Sequence, residues 1–484
     1  MEGTLGRARE ALRSPDFTRL FAIRLVSQFA DGLFQAALVA SVVFFPEQTT
    51  AAGFAKATIV VSVPFSVIGP FTGVFIDRWS RRRILVRSPW LRVVAVPLVL
   101  FDPLHAAVPF FAGALLVLSV NRFFLATAQA VVPRLVPTED LLIANSMATV
   151  GGTVALLAGV FAGGQVAGPF GLVPLVIGSA GLWAISSGIA ARIRSDLTPR
   201  RLDFAPLRSE LRRVRTEFAD GITRLVRTPR AIGPIASITL DQMGQGLVLV
   251  ISLVFFRERF REGVGSFSWL IAAGGVGVLA GLVSVGALES RFPKERIVAG
   301  SFVLGGLALV LVSTAIGPVT VLVASFIVGL TFSWKKVPVD TMVQEAVPDA
   351  YRGRVFAVYD VSYNLSRVAA ALIAVPLLPA IGDAWSVAAV GLLFIAWAPV
   401  LPRWVARAPE IELEFYAGGR ADEVPRAIRW GGVRERVTVE RSWVEERNGE
   451  RFVCFRLALE DGTGLDVRRR DTEDRWHLER ELGS

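Results

Sequence analysis

The chain has 484 residues, 53% of them hydrophobic and only 19% charged, with a mean hydropathy of +0.52; a soluble globular chain carries about a quarter charged residues. The apolar residues come in long blocks, about a dozen of them near the roughly 20-residue length that crosses a hydrocarbon core. A net charge of +10 invites a nucleic-acid reading, but the basic residues mostly flank the apolar blocks, as the positive-inside bias predicts, so no nucleic-acid partner is expected.

Other chemistry is narrowed by what the chain lacks. Cys454 is the single cysteine and His105 and His477 are the only histidines, so a disulfide within the chain and a Cys- or His-based metal site are not expected. There is no Gly-x-x-x-x-Gly-Lys-Ser/Thr loop for ATP and no converging Ser/His/Asp set. No cofactor and no enzymatic activity are expected. The charged start and the long first apolar block read as a retained helix, not a cleaved signal.

Residues 1–16 are polar and are placed in the cytoplasm. The first span is predicted from Phe17 to Phe45 and contains Arg24, Gln28, Asp31 and Gln35. The last three recur at helical spacing and share a face, and a charge inside a span belongs in the bundle interior or beside a water-filled cavity. Arg24 either reaches toward Asp31 through Gln28 or snorkels to the surface. The second span, about Ala55–Phe75, contains Pro64 and Pro70 and runs into Gly73-Val74-Phe75-Ile76-Asp77-Arg78-Trp79-Ser80-Arg81-Arg82-Arg83. That basic cluster marks the cytoplasmic side.

The third span is predicted at about Ile84–Leu100 and the fourth at about Ala107–Val132, the latter with Asn121 and Arg122 in apolar surroundings. An arginine there is either a functional residue or one half of an interior pair, for instance with Asp31. The fifth span, about Asn145–Ala167, is dense in small residues, among them Gly159, Gly163 and Gly164, which let helices approach closely. The sixth runs from about Leu172 to Ala190. Residues 191–230 form an arginine-rich cytoplasmic connector with apolar residues at helical spacing.

The seventh span, about Ala231–Phe256, carries Asp241, Gln242 and Gln245. The eighth, about Ser268–Leu288, leads into Gly286-Ala287-Leu288-Glu289-Ser290-Arg291-Phe292-Pro293-Lys294-Glu295-Arg296. Laid on the earlier loop, Gly286 matches Gly73 and Arg291 matches Arg78, while Ser290 stands in place of Asp77. Leu135-Val136-Pro137 and Ala346-Val347-Pro348 stand at nearly the same spacing, which points to two duplicated six-helix halves. Spans nine to twelve are predicted at about Ile297–Ala315, Val319–Trp334, Val355–Leu378 and Ser386–Val400. Lys335, Lys336 and Asp340 fall at or near the end of the tenth. Asp360, Asn364 and Arg367 share a face of the eleventh; Asp360 and Arg367 pair only by bending or through Asn364, and Asp360 reads equally as a membrane-surface residue.

The fold class expected is thus an all-α membrane protein with twelve transmembrane helices in two pseudo-symmetric halves, 1–190 and 231–402, joined by the 191–230 linker. Both termini are placed on the cytoplasmic face of the cell (inner) membrane. Residues 408–484 are expected to form a small β-rich cytoplasmic domain, with strands near Ile411–Phe415, Val437–Glu440, Phe452–Leu457 and Trp476–Arg480.

The spacing Gly73-x-x-x-Asp77-Arg78-x-Ser80-Arg81-Arg82 resembles the loop between the second and third helices of major facilitator superfamily transporters, and the resemblance covers about residues 15–402. Asn121-Arg122, Pro133-Arg134-Leu135-Val136-Pro137, Ala144-Asn145 and Gly353-Arg354-Val355 look like the exporter branch that includes macrolide-type and siderophore efflux proteins. Gly159-Val160-Phe161-Ala162-Gly163-Gly164 is similar to that branch's Gly-Pro-x-x-Gly-Gly motif, with Val160 where proline is usual, a departure that weakens a drug/proton antiporter assignment. The resemblance implies proton coupling through Arg122 and an acidic site at Asp31. The expected cavity set is Asp31, Arg122, Gln28, Gln35, Asp241 and Gln245, and the expected inner gate is Gly73, Asp77, Arg78, Arg81, Arg82, Gly286 and Arg291. The function expected is proton-coupled export of a small hydrophobic or amphipathic compound by a monomer in the lipid bilayer, working by alternating access. The alternatives are a metabolite importer and a membrane sensor or scaffold acting through the C-terminal domain.

Overall fold

The computed structural model describes residues 10, 12–44, 79–101, 107–195, 197, 207–226, 228–254, 256, 263–347, 349–407, 412–415, 424–430, 433–447, 450–459, 464–470 and 476–482. The expected second span and the gate residues Gly73, Asp77 and Arg78 lie outside these residues.

The helices are α1 (Pro15–Val39), α2 (Arg81–Val99), α3 (Ala107–Val131), α4 (Leu141–Phe170), α5 (Val173–Ala190), α6 (Leu207–Val226), α7 (Pro229–Val254), α8 (Val264–Glu289), α9 (Lys294–Thr314), α10 (Pro318–Ala346), α11 (Asp349–Ile381), α12 (Asp383–Trp397) and α13 (Val400–Arg407). Ten helices among the described residues are long and apolar enough to cross a membrane. α2 has 19 residues and packs with them, but it is not among the ten, because it carries Arg81, Arg82, Arg83, Arg87 and Arg92.

Local chemistry sets several boundaries. α1 begins where the Ser14 hydroxyl accepts the Phe17 backbone N–H and Pro15 supplies a helix-ready φ. α4 and α11 both stop where the chain takes a positive φ, 73° at Gly171 and 74° at Gly382, which only glycine adopts without cost. The tenth span was expected to end at Trp334, yet α10 continues to Ala346. The charges that suggested an end are neutralised within the bundle: Lys335 pairs with Asp241, and Lys336 pairs with Asp340 one turn on.

α1 packs on α4 and α5, and α2 on α3 and α5. α7 packs on α10, α11 and α12, α8 on α10, and α9 on α10 and α12. α4 lies along α8. The α1–α4 crossing is backbone on backbone: a Cβ on Gly159 would sit 2.1 Å from the Phe29 carbonyl oxygen, and one on Gly32 would sit 2.2 Å from that of Leu156. Such contact relies on small residues, since lipid gives helices no hydrophobic reason to associate.

The C-terminal region is a six-stranded antiparallel sheet in sequential order, β1 (Glu412–Phe415), β2 (Pro425–Trp430), β3 (Val433–Arg447), β4 (Glu450–Leu459), β5 (Gly464–Arg470) and β6 (Trp476–Leu482). β2 and β5 were not expected as strands; β5 is short and arginine-rich, and its pairing partners supply the order that its composition does not. Ile428, Leu457, Leu465, Val467 and Trp476 form its core. Glu435 on β3 lies 3.8 Å from Arg224 on α6.

Candidate functional site

Among the described residues, two buried ion pairs lie inside the bundle. In the first, α1 presents Asp31, and Arg92 on α2 donates from Nη1 to Asp31 Oδ1 at 2.8 Å and to Asn121 Oδ1 on α3 at 3.3 Å. Arg92 Nη2 donates to the Ser27 hydroxyl at 3.1 Å, and the guanidinium carbon lies 4.9 Å from the ring centroids of both Phe124 and Trp183. Trp183 Nε1 on α5 also donates to Asp31 Oδ1, at 2.9 Å. Arg92 is 0% exposed and Asp31 3%. Both charges are therefore paired and hydrogen-bonded, the condition under which a charge can stay in such surroundings. Asp31 Oδ2 accepts no hydrogen bond among the described residues.

The second pair joins Asp241 on α7 to Lys335 on α10. Lys335 Nζ lies 4.7 Å from the Phe302 ring centroid and 4.8 Å from that of Phe394. Gln245 Nε2 donates to Asp241 Oδ2 at 2.6 Å, so both carboxylate oxygens are engaged. Both centres sandwich a cation between two aromatic faces and bind it to one carboxylate, a double use of Coulomb and cation–π attraction.

A cavity of about 460 Å³ opens above these centres, toward the ends where α1 and α7 finish and α8 and α10 begin. Gln35 and Gln245, each one turn beyond its aspartate, face it together with Arg367 of α11. The rest of the wall is mostly apolar, with Phe110, Phe111, Phe267 and Ile271 among its residues. α4 and α8 border it, held by Gln165 Nε2, which donates to the Gly265 carbonyl at 2.7 Å and the Ser268 hydroxyl at 2.8 Å. Gly164 belongs to this contact, since a Cβ there would lie 2.4 Å from Ser268 Cβ, whereas Gly159 and Gly163 face α1.

At the opposite, basic end, hydrogen bonds and an ion pair tie helix ends to one another. Asp16 in the first turn of α1 accepts the backbone N–H of Arg194 at 3.1 Å and of Ser195 at 2.7 Å, as well as the Ser195 hydroxyl at 2.6 Å, all on Oδ2. The Ser14 hydroxyl donates to the Leu135 carbonyl at 3.0 Å, and Arg82 Nη2 to that of Ala191 at 2.7 Å. The Arg81 backbone N–H donates to the Leu197 carbonyl at 3.2 Å. Lys294 at the start of α9 pairs with Glu345 at the end of α10. Gly286 faces no described atom within 4 Å of a built Cβ, and the Arg291 backbone N–H closes a turn onto the Leu288 carbonyl at 3.0 Å.

Several pairings differ from the sequence expectation. The cation that meets Asp31 is Arg92, not Arg122. Asn121 points at the pair, and its neighbour on the helix points about 100° away, so Arg122 lies within electrostatic reach of Asp360 on α11. Asn364 does not bridge Asp360 to Arg367: its side chain donates to the Asp360 backbone carbonyl at 2.7 Å, and Arg367 Nε donates to Gln242 Oε1 on α7 at 2.8 Å. Gln28 and Arg24 are buried against α4, where a Cβ on Gly152 would lie 3.5 Å from Gln28 Cγ and 3.0 Å from Arg24 Nε. Arg24 therefore neither snorkels nor reaches Asp31. Arg92 also lies inside an expected span, but Arg87 and the Arg81–Arg83 cluster on the same helix masked it as a single interior charge. Asp16, in the polar lead-in, carried no comparable signal.

Comparison with known proteins agrees with this architecture. The chain is 29% identical over 387 residues to an uncharacterized MFS-type transporter of Mycobacterium tuberculosis, a match covering 76% of this chain and 86% of that relative. It is 26% identical over 191 residues to the niacin transporter NiaP of Acinetobacter baylyi, covering 39% of this chain and 42% of that protein. Among solved structures, the nucleoside transporter NupG superposes with a TM-score of 0.63 at 14% identity, covering 81% of this chain and 99% of NupG. A POT family transporter bound to a peptide conjugate superposes with the same TM-score of 0.63 at 12% identity, covering 81% of this chain and 96% of that one. These two show a shared fold. The family model described as Major Facilitator Superfamily matches residues 20–371, with a second match over 235–447. A bundle of apolar helices around a central cavity, matched by that model over most of its length, makes this chain a multi-pass membrane transporter of the Major Facilitator Superfamily.

Proposed function

We propose that this transporter carries a small amphipathic compound out of the cell across the cytoplasmic (inner) membrane, by alternating access of two six-helix halves and in exchange for protons. The halves are residues 1–190 and 231–402, with both chain ends and the 191–230 linker on the cytoplasmic side, and the span at about Ala55–Phe75 completes twelve. Three parallels support the duplication. Asp31-x-x-x-Gln35 matches Asp241-x-x-x-Gln245, the left-handed turn at Gly171 matches that at Gly382, and Trp183 and Phe394 each cover a buried cation.

The observation that carries the proton reading is that Asp31 Oδ2 accepts no hydrogen bond among the described residues. A proton placed there displaces no hydrogen bond from the described residues, weakens the hold on Arg92 and so biases how α1 packs on α2. At Asp241 the corresponding oxygen is already taken by Gln245. Arg122, within electrostatic reach of Asp360, is assigned with it to the proton path. The inner gate is assigned to Gly73, Asp77, Arg78, Arg81, Arg82, Gly286 and Arg291.

A ligand found by thermal-shift screening of the detergent-solubilised protein supplies the test compound. In proteoliposomes under an imposed pH gradient, Asp31→Asn is expected to abolish proton-driven flux while leaving gradient-independent exchange. Unchanged proton-driven flux in that variant overturns the coupling role, and net flux only in the importing direction overturns export.

A further inference from the structure

We propose that the cavity takes an organic anion, a carboxylate on a hydrophobic body, and that Arg367 is the residue that docks the carboxylate. The inference rests on the cavity's being the transport site and names the class of its cargo.

The geometry of Arg367 carries it. Its Nε is fixed by a 2.8 Å hydrogen bond to Gln242 Oε1, and Gln242 on α7 is itself 0% exposed. That bond uses one edge of the guanidinium and orients the rest. The side chain lines the cavity, and its two terminal amino groups make no hydrogen bond or ion pair among the described residues. A guanidinium at an apolar wall within a membrane is costly without a counter-charge. The two buried carboxylates of the bundle are committed elsewhere, Asp31 to Arg92 and Asp241 to Lys335. Asp360 sits two turns nearer the basic end, within reach of Arg122 and Lys336.

A guanidinium fork matches a carboxylate with two parallel hydrogen bonds, a fit that neither an amide nor a cation reproduces. Around it, Gln35 and Gln245 offer amide groups, and Phe110, Phe111 and Phe267 offer apolar surface. A cavity of about 460 Å³ lies within the roughly 300–1,000 Å³ range of small-molecule sites. The arrangement suits one anionic end and one apolar end, and it disfavours amines by direct repulsion from Arg367.

The test uses three probes of one shape: 4-phenylbutyrate, 4-phenylbutanamide and 4-phenylbutylamine. Binding to the full-length protein in detergent is measured by thermal shift and by calorimetry. The carboxylate is expected to bind roughly 10-fold or more tighter than the amide, the size of one charge-assisted hydrogen-bonded contact. Arg367→Gln removes that preference, Arg367→Lys keeps part of it, and Gln242→Leu, which frees the guanidinium but keeps its charge, gives an intermediate value. Monodispersity on gel filtration shows that each variant is folded. Equal binding of the three probes, no binding by any of them, or an undiminished carboxylate preference in Arg367→Gln overturns the proposal. Counterflow in proteoliposomes separates this from the transport reading. Anion-selective binding without counterflow upholds the site and refutes transport of that class, whereas counterflow of the amine or amide upholds transport and refutes the site.

Discussion

The two buried ion pairs use the same parts but not the same wiring. Around Asp31, Arg92 and Trp183 both donate to Oδ1, and Oδ2 accepts no hydrogen bond among the described residues. Around Asp241 the donors divide, Lys335 to Oδ1 and Gln245 to Oδ2. The cation differs too. Arg92 spreads its fork over Asp31, Asn121 and Ser27, so it keeps partners if Asp31 lets go, whereas Lys335 is a point charge held by Asp241 and two rings. The first arrangement suits a site whose charge changes, and the second suits a permanent clasp. The helix carrying Asp31 is also the more closely seated: at the α1–α4 crossing a Cβ on Gly159 would lie 2.1 Å from the Phe29 carbonyl oxygen, whereas at the α7–α11 crossing a Cβ on Gly246 would lie 2.8 Å from Ala370 Cβ and 3.5 Å from Arg367 Cα.

The largest expected effect comes from removing either cation. Arg92→Met and Lys335→Met each strand a buried carboxylate and should cost about 3–5 kcal/mol in reversible SDS unfolding. Replacing both partners separates the roles. Asp241→Leu with Lys335→Met should recover most of the stability and retain proton-driven flux, while Asp31→Leu with Arg92→Met should recover stability and lose that flux. Loss of flux in both doubles would erase the distinction drawn here.

Gln245→Leu takes the Gln245 donor from Asp241 Oδ2, and removing that hydrogen bond to a charged group should lower stability by about 1.5–3 kcal/mol. The same change at Gln35, which makes no such bond among the described residues, should move unfolding by less. Gly159→Ala forces a methyl into the Phe29 carbonyl and should cost about 1–3 kcal/mol, an overpacking penalty. Gly246→Ala meets a side-chain atom and should cost less than Gly159→Ala in the same assay; the reverse order would argue against the closer seating of α1. The smallest effect is expected outside the bundle. Glu435→Gln breaks a half-exposed pair with Arg224 and should change stability by no more than about 1 kcal/mol, an effect that high salt abolishes.

Much of the bundle was legible in the sequence. The length of apolar blocks located the helices, and helical spacing singled out Asp31 and Asp241, because a charge within such a block stands out against its neighbours. Cation identity was less legible. Arg122 drew attention and Arg92, one of five arginines on its helix, did not; which one meets Asp31 depends on how α2 and α3 are rotated about their own axes. Lys335 was read as a helix end because a charge run resembles one, until a partner 94 residues away neutralises it.

Composition and periodicity alone determined that this chain is a polytopic helical membrane protein with a polar β-strand tail, because the bilayer demands long apolar helices whatever their packing. Tertiary structure alone decided which charges are partnered, which oxygen of Asp31 receives the donors, and that Arg367 faces the cavity with its terminal amino groups unclaimed by any described residue. Those outcomes depend on helix rotation and on side chains arriving from distant segments, and periodicity along one helix carries no information about what stands opposite it.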